Sequence, residues 1–218
     1  MKEHLKKEIP YERMLFFSDA IVAIAITLLA LDLKLNLPES HHLTFEDLLL
    51  PWKNYLAFIL SFINIAAFWR THHNMYTYIH KMNDRTMTYN VLWLFFIVTL
   101  PFATSVLSTH FGDSPAIFLY SLNIFSLACC QNFIWDSANL KEDFINTEKI
   151  TEEERKRFRD MFNLDMLNGL LCMILSFFMP KLAFFFLFFK IPVFFFITIY
   201  IARQRSKDIK AQRENKEK

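Results

Sequence analysis

The residues most able to do chemistry lie at the start of the first apolar run of the sequence. Arg13, Ser18 and Asp19 precede a run of Ala, Ile and Leu that reaches Leu33. A carboxylate beside membrane-type sequence is costly unless it is paired or hydrated. Two interpretations of Asp19 are open: it accepts hydrogen bonds from an Arg or His elsewhere in the fold, or it is a first-turn carboxylate favoured by the helix dipole.

Behind Asp19, four residues are spaced to share one face of a helix. Ile24, Thr27, Leu28 and Leu31 follow the i, i+3, i+4, i+7 pattern, and alanines at positions 20, 23 and 30 flank them. Small residues let helices approach closely. Taken alone, this pattern is typical of an ordinary packing seam within one helical bundle.

A second polar cluster contains three histidines in "FWRTHHNMYTYIH". His72 and His73 are adjacent, so on a helix they point in different directions and do not easily bind one metal ion. We expect one of them to hydrogen-bond a buried partner and the other to face the interface. Further along, Asn90, Asn123, Asn168 and Asp165 lie in apolar sequence, where polar side chains typically join helices.

Several function classes lack support in the sequence. No Ser-His-Asp or paired-carboxylate arrangement is present, so we do not expect an enzyme. The two glycines nearly exclude a phosphate-binding loop, and the Thr-Val-Gly-Tyr-Gly filter of common potassium channels is absent. A net charge of +2 gives no electrostatic support for a nucleic-acid partner.

The elements that position these residues are predicted to be membrane-spanning helices. The 218 residues are 54% hydrophobic and include 26 Phe. Spans of roughly 20 apolar residues explain this composition better than a soluble core does. Six apolar segments are predicted to cross the membrane, at residues 14–33, 56–69, 91–107, 116–135, 161–179 and 182–202.

Basic residues alternate along the connections between these segments. Four precede the first segment, three lie between the second and third, six between the fourth and fifth, and seven follow the sixth. The remaining four are Lys34, Lys53, Lys181 and Lys190. By the positive-inside rule, both termini are predicted to be cytoplasmic. We divide the chain into a six-helix membrane domain, 1–205, and a basic cytoplasmic tail, 206–218.

Four stretches resemble one known family. "RMLFFSD" fits an Arg-x-x-x-Phe-Ser-Asp pattern, "AIAITLLALDL" continues it, and "FWRTHH" and "LPF" follow later. Together they resemble the transmembrane protein 175 family of potassium channels in its prokaryotic, single-repeat form. Ala20 stands where many members have Gly. Lys190, inside the last predicted span, is also unexpected, and we suggest that it snorkels to the outer interface.

The resemblance implies a homotetramer in the prokaryotic plasma membrane, with the first helix of each subunit lining a central pore. It places the pore constriction on Ile24, further apolar layers on Leu28 and Leu31, and a polar ring on Thr27. It also implies a structural network at the cytoplasmic end, formed by Arg13, Phe17, Ser18, Asp19, Trp69 and His72. The implied partners are the bilayer, other copies of the chain and monovalent cations, with permeant potassium and no cofactor.

Two rival interpretations remain. An ion-coupled secondary transporter is the main alternative, although such proteins often have Gly-rich broken helices and midplane charges, which this sequence lacks. A non-conducting membrane scaffold is the third.

Overall fold

The computed structural model describes residues 2–35, 37–38, 40–140, 144–145 and 150–189, and its side chains from Tyr11 onward. Within these ranges the regular structure is helical, apart from one isolated antiparallel bridge between Ile79 and Ile145. The helices are α1 (Lys2–Leu28), α2 (Trp52–Tyr76), α3 (Asp84–Thr109), α4 (Ser114–Asn139), α5 (Glu152–Phe178) and α6 (Pro180–Phe189). Short 3-10 turns cover Leu29–Asp32 and Asp47–Leu49. The all-α prediction is therefore confirmed for the described residues.

Among the described residues, four stretches are long and apolar enough to cross a membrane: Tyr11–Asp32, Asp84–Thr109, Ser114–Asn139 and Glu152–Phe178. Helix α2 is also long enough to cross a membrane, at 25 residues. It is more polar than the four apolar stretches because it contains several polar residues that are buried: Ser61, Asn64, Thr71 and His72. Six helices per subunit fit this arrangement. Most of the sixth predicted span, including Lys190, and the tail 206–218 lie outside the described residues.

The helices extend beyond the predicted spans. Helix α1 begins at Lys2, well before the predicted start at residue 14, and α2 extends past both ends of segment 56–69. For α3 and α5, the N-terminal caps explain why the helix begins before the predicted span. Asn83 accepts the backbone N–H of Thr86 at 2.8 Å, which starts α3 early. Thr151 and Glu154, three residues apart, form a reciprocal capping box and so start α5 in charged sequence.

Two ends of the bundle can be distinguished. At the proximal end, the side chain of Tyr11 reaches the residues that follow α2, and Arg159 of α5 pairs with Asp136 of α4 at 2.9 Å. At the distal end, Trp52 of α2 contacts Phe111, between α3 and α4. The α2–α3 and α4–α5 connections therefore lie at the proximal end, and the α1–α2 and α3–α4 connections at the distal end.

Helices α4 and α5 approach each other closely at Gly169. A Cβ atom added at Gly169 would lie 2.8 Å from the Cα of Phe125. Cys172 and Ser176, one and two turns further along α5, are fully buried. Because only a residue without a side chain fits at position 169, glycine sets the distance between these two helices.

Candidate functional site

Helix α1 has one face packed on the bundle and one face bare. The packed face repeats every three or four residues and consists of Met14, Ser18, Val22, Ala25 and Leu29. On the opposite side, Ile24 is 59% exposed, Leu31 is 63% exposed and Leu28 is 39% exposed. Thr27 is also exposed, and its hydroxyl donates to the carbonyl of Ile24 at 2.8 Å. The four predicted pore residues thus lie on a side of α1 that no other part of the described subunit covers.

The end of α1 differs from the uniform α-helix that the spacing argument assumed. The α-helix ends at Leu28, and residues Leu29–Asp32 form a 3-10 turn. Side chains three residues apart are eclipsed in a 3-10 helix. Leu31 therefore lies almost directly beyond Leu28 along the helix axis, which keeps both on the bare face.

Asp19 has a partner on α2. The indole N–H of Trp69 donates to its Oδ1 at 2.9 Å. The ring of Trp69 in turn lies 5.6 Å from that of His73, centroid to centroid. Of the two sequence interpretations, the structure shows a tertiary partner for the carboxylate, and that partner is a tryptophan where an Arg or His was expected.

Asn90 of α3 is the centre of a separate, buried group. Its amide donates to Ser18 Oγ at 3.0 Å, and its Oδ1 accepts from His72 Nε2 at 2.7 Å and from the hydroxyl of Tyr76 at 3.3 Å. Ser18 Oγ donates onward to the carbonyl of Met14 at 2.9 Å. One asparagine therefore joins α1, α2 and α3 at a single level.

Ring stacking holds His72 in place. Its imidazole lies 4.2 Å from the ring of Trp93, at an interplanar angle of 14°. Both residues are buried, and because Asn90 Oδ1 is an acceptor, the Nε2 atom of His72 carries the hydrogen. His73 and His80, by contrast, are exposed. Within the described ranges, no three His, Cys, Asp or Glu side chains converge as a metal site would require.

The structure divides the residues of the predicted network. Ser18 and His72 meet through Asn90, and Asp19 and Trp69 meet directly. Arg13 is exposed and makes no hydrogen bond or ion pair with another residue whose side chain is described. Phe17 is 56% exposed and lies on the same bare face as Ile24.

Tyr11 of α1 makes a contact with the end of α2 that was not predicted from the sequence. Its hydroxyl donates to the carbonyl of Tyr76 at 2.8 Å and also contacts the carbonyl of Ile79. The last carbonyls of a helix lack intrahelical partners, so Tyr11 caps the end of α2 from α1. Tyr11 precedes the first predicted span, which is why no membrane signal pointed to it.

The end of α2 is also joined to the α4–α5 connection. The backbone N–H of His80 donates to the carbonyl of Phe144 at 3.0 Å, within the isolated bridge. The proximal end of α1 is therefore held by the loops as well as by the helices.

Comparison with known proteins finds similarity to one family of channels. Residues 13–101 match the family described as "Endosomal/lysosomal potassium channel TMEM175". A potassium channel of Streptomyces collinus is 30% identical over 123 residues, which cover 55% of this chain and 60% of that protein. A potassium channel of a Chryseobacterium species is 28% identical over 172 residues, which cover 78% of this chain and 85% of that protein.

The fold comparison agrees. The crystal structure of a lysosomal potassium-selective channel TMEM175 homologue from Chamaesiphon minutus superposes with a TM-score of 0.71 and 26% identity, covering 84% of this chain and 95% of that one. The residues 13–101 that match the family include the bare face of α1 and all of α2. They also include the Asp19–Trp69 hydrogen bond and the Asn90 group. The chain is a multi-pass protein of the prokaryotic plasma membrane, and its residues 13–101 match the TMEM175 family.

Proposed function

We propose that this chain is a potassium-permeable cation channel, assembled as a homotetramer around a central pore lined by α1. The supporting observation is the bare, apolar face of α1. In the most apolar part of this helix 28% of the residues are buried, against 61% in α4. A membrane subunit leaves such a face bare only where lipid, another subunit or a pore adjoins it.

Helix α5 is comparably bare, with 22% of its apolar part buried, so exposure alone does not distinguish a pore helix. The extent of the family match does favour α1. It begins at Arg13, covers α1 and α2, and ends within α3, which leaves α5 outside. We therefore assign the bare face of α1 to the pore and that of α5 to lipid.

In this proposal Ile24 forms the narrowest ring, Leu28 and Leu31 form further apolar layers, and Thr27 contributes a polar ring. An apolar neck closes by dewetting, and an ion passes only if it tolerates the loss of hydration water. Potassium is more weakly hydrated than sodium, so a tight neck favours potassium without coordinating oxygens. No cofactor is proposed beyond the permeant ion.

The polar contacts at the proximal end would then position the pore helix. The Asp19–Trp69 bond and the Asn90 group lie less than two turns from Ile24 and hold α1 by two different faces. A rotation of α1 would break both, so they fix which side chains face the axis. Arg13 and Phe17 were predicted to belong to this network; both are exposed in the described subunit, so in this proposal they join it through a neighbouring copy.

We place the proximal end, with both termini, in the cytoplasm, because the basic residues cluster there. The six-helix domain 1–205 carries conduction, and the tail 206–218 is a basic cytoplasmic extension. The partners are the bilayer, other copies of the chain and monovalent cations.

A flux assay on purified protein tests the proposal. We expect reconstituted liposomes to release potassium down its gradient with ohmic single-channel steps, and the detergent-solubilised particle to have the mass of four chains. Saturable uptake coupled to a counter-ion would favour the transporter instead. The absence of any flux from a correctly assembled particle would leave only a scaffold and would contradict the proposal.

A further inference from the structure

The connection between α1 and α2 turns its apolar side chains outward. Phe45 is 90% exposed, Leu49 70%, Leu50 65% and Leu43 60%. These residues belong to none of the six helices, and they follow one another within the stretch 43–50, which we call the distal segment. Large apolar side chains concentrated in one loop are uncommon on a water-facing surface.

The outward orientation has a structural cause, which is the burial of Asp47. Its Oδ2 accepts hydrogen bonds from the backbone N–H of Thr44 at 2.8 Å and from the Thr44 hydroxyl at 2.7 Å, and it lies 2.9 Å from His41 Nε2. The distal segment thus folds around its own carboxylate. Polar groups occupy the inside of the turn, and the leucines and Phe45 are left outside.

The distal segment is anchored to the start of α2. The hydroxyl of Tyr55 donates to the carbonyl of Leu48 at 2.8 Å. The 3-10 turn Asp47–Leu49 leads through Pro51 directly into Trp52, the first residue of α2. The exposed leucines therefore lie at the level where a predicted membrane span begins.

The neighbouring side chains are of the types that are common at a membrane interface. The ring of Trp52 packs edge-on against Phe111 at 5.3 Å, and Lys53 Nζ lies 5.9 Å and 5.8 Å from the centroids of these two rings. Phe111 also contacts Phe184 of α6 at 4.8 Å. Tryptophan and lysine with their aliphatic or aromatic parts in lipid and their polar parts in the headgroups are typical of bilayer boundaries.

We propose that the distal segment lies in the plane of the bilayer interface at the distal side, with Phe45, Leu49 and Leu50 buried in the headgroup–acyl boundary. An interfacial position accommodates the exposed charges of Glu46 and Lys53 beside apolar groups, because headgroups and hydrocarbon meet there. This proposal requires only that the protein lies in a membrane, and it does not depend on whether the protein conducts ions.

Size argues for lipid over a second protein copy. A stable protein interface typically involves about 20–30 residues on each side. The distal segment offers eight residues, with the charge of Glu46 among them and that of Lys53 just beyond. A membrane interface needs no such area, because each apolar side chain partitions by itself.

Site-directed spin labelling of the full chain in phosphatidylcholine–phosphatidylglycerol liposomes tests the proposal. In a background in which Cys129, Cys130 and Cys172 are replaced by Ser or Ala, one label is placed by Phe45→Cys and another by Leu49→Cys. The control is Glu153→Cys in the first turn of α5, which is exposed at the opposite, proximal end. Accessibility to oxygen reports lipid, and accessibility to a water-soluble nickel chelate reports solvent.

We expect the ratio of oxygen to nickel accessibility at positions 45 and 49 to exceed that at position 153 by about twofold or more. Adding Asp47→Ala should lower the ratio at position 45, because the turn then loses its internal acceptor. Ratios equal to that of the control would place the distal segment in water and overturn the proposal. Low accessibility to both reagents, with spin–spin broadening between copies, would assign the surface to a second subunit and also overturn it.

Discussion

The indole N–H of Trp69 donates to Oδ1 of Asp19 at 2.9 Å and so joins α2 to α1 across 50 positions of the sequence. The bond lies beside, and separate from, the buried group around Asn90. Both side chains are exposed in the described subunit, so the bond reaches the strength of a low-dielectric environment only where lipid or another copy excludes water from it. This pair explains why a helix that enters the membrane carries a carboxylate at its threshold.

Replacing Asp19 with Ala should impair assembly or gating. The change leaves the Trp69 N–H without its acceptor, at a cost of about 1–3 kcal/mol if the site is buried between subunits. Asp19→Asn keeps an acceptor oxygen and should behave much closer to the wild type. The tetramer fraction by size-exclusion chromatography with light scattering, together with liposome flux, measures the effect. An Asp19→Ala variant that assembles and conducts normally would show that the Asp19–Trp69 hydrogen bond does not position α1.

Replacing Asn90 with Leu should destabilise the subunit by about 1–3 kcal/mol, because His72 Nε2 and the Tyr76 hydroxyl lose their shared acceptor inside the bundle. The control is Asn139→Leu, since Asn139 bonds only to the Trp135 carbonyl of its own helix among the described residues. Thermal unfolding in detergent compares the two. Equal shifts in Tm would show that the Asn90 group adds nothing beyond a local bond.

Gly169→Ala should separate α4 from α5. The new methyl group would lie 2.8 Å from the backbone of Phe125, which cannot move aside as a flexible side chain does. Overpacking of this kind costs about 1–3 kcal/mol. Gly112→Ala is the comparison, because its Cβ would meet nothing within 4 Å and its cost comes only from the φ of +95°. If Gly112→Ala lowers Tm as much as Gly169→Ala does, the close approach is not the cause.

The turn around Asp47 should persist in acid. Hydrogen bonds from the Thr44 N–H and hydroxyl and from His41 lower the pKa of Asp47 from 3.8 to about 2. A carboxyl with a depressed folded-state pKa stabilises the turn fully above its ordinary pKa and loses that contribution as the pH falls through the depressed value. We therefore expect no change between pH 7 and pH 4. The carbon-13 shift of the Asp47 carboxyl should titrate near pH 2, and a midpoint near 3.8 would show that these bonds are absent in the membrane.

Most of the helical pattern of the described residues could be read from the sequence because its causes are local. Apolar length is set by bilayer thickness, and the Thr151–Glu154 cap needs only a spacing of three. The need of Asp19 for a partner was also predictable, since a carboxylate there is costly. The resemblance to the TMEM175 family is confirmed by the match over residues 13–101.

Partner identities were less accessible, because they depend on how the helices rotate and slide against one another. Asn90 was expected to join helices, but its bonds to Ser18 and His72 follow only from the α1–α2–α3 packing. Tyr11 lay before the predicted span because the sequence offers no signal that α1 begins as early as Lys2. The 3-10 turn that aligns Leu31 with Leu28 has no sequence signature that we can identify.

The potassium-to-sodium permeability ratio of Ile24→Asn in planar bilayers tests the pore assignment most directly. The matched control is Ile174→Asn, which makes the same change at a residue of similar exposure, 51%, on α5. If the bare face of α1 forms the constriction, Ile24→Asn wets the neck, raises conductance and lowers the preference for potassium, while Ile174→Asn leaves both unchanged. Unchanged selectivity and conductance in an assembled Ile24→Asn channel would contradict the account.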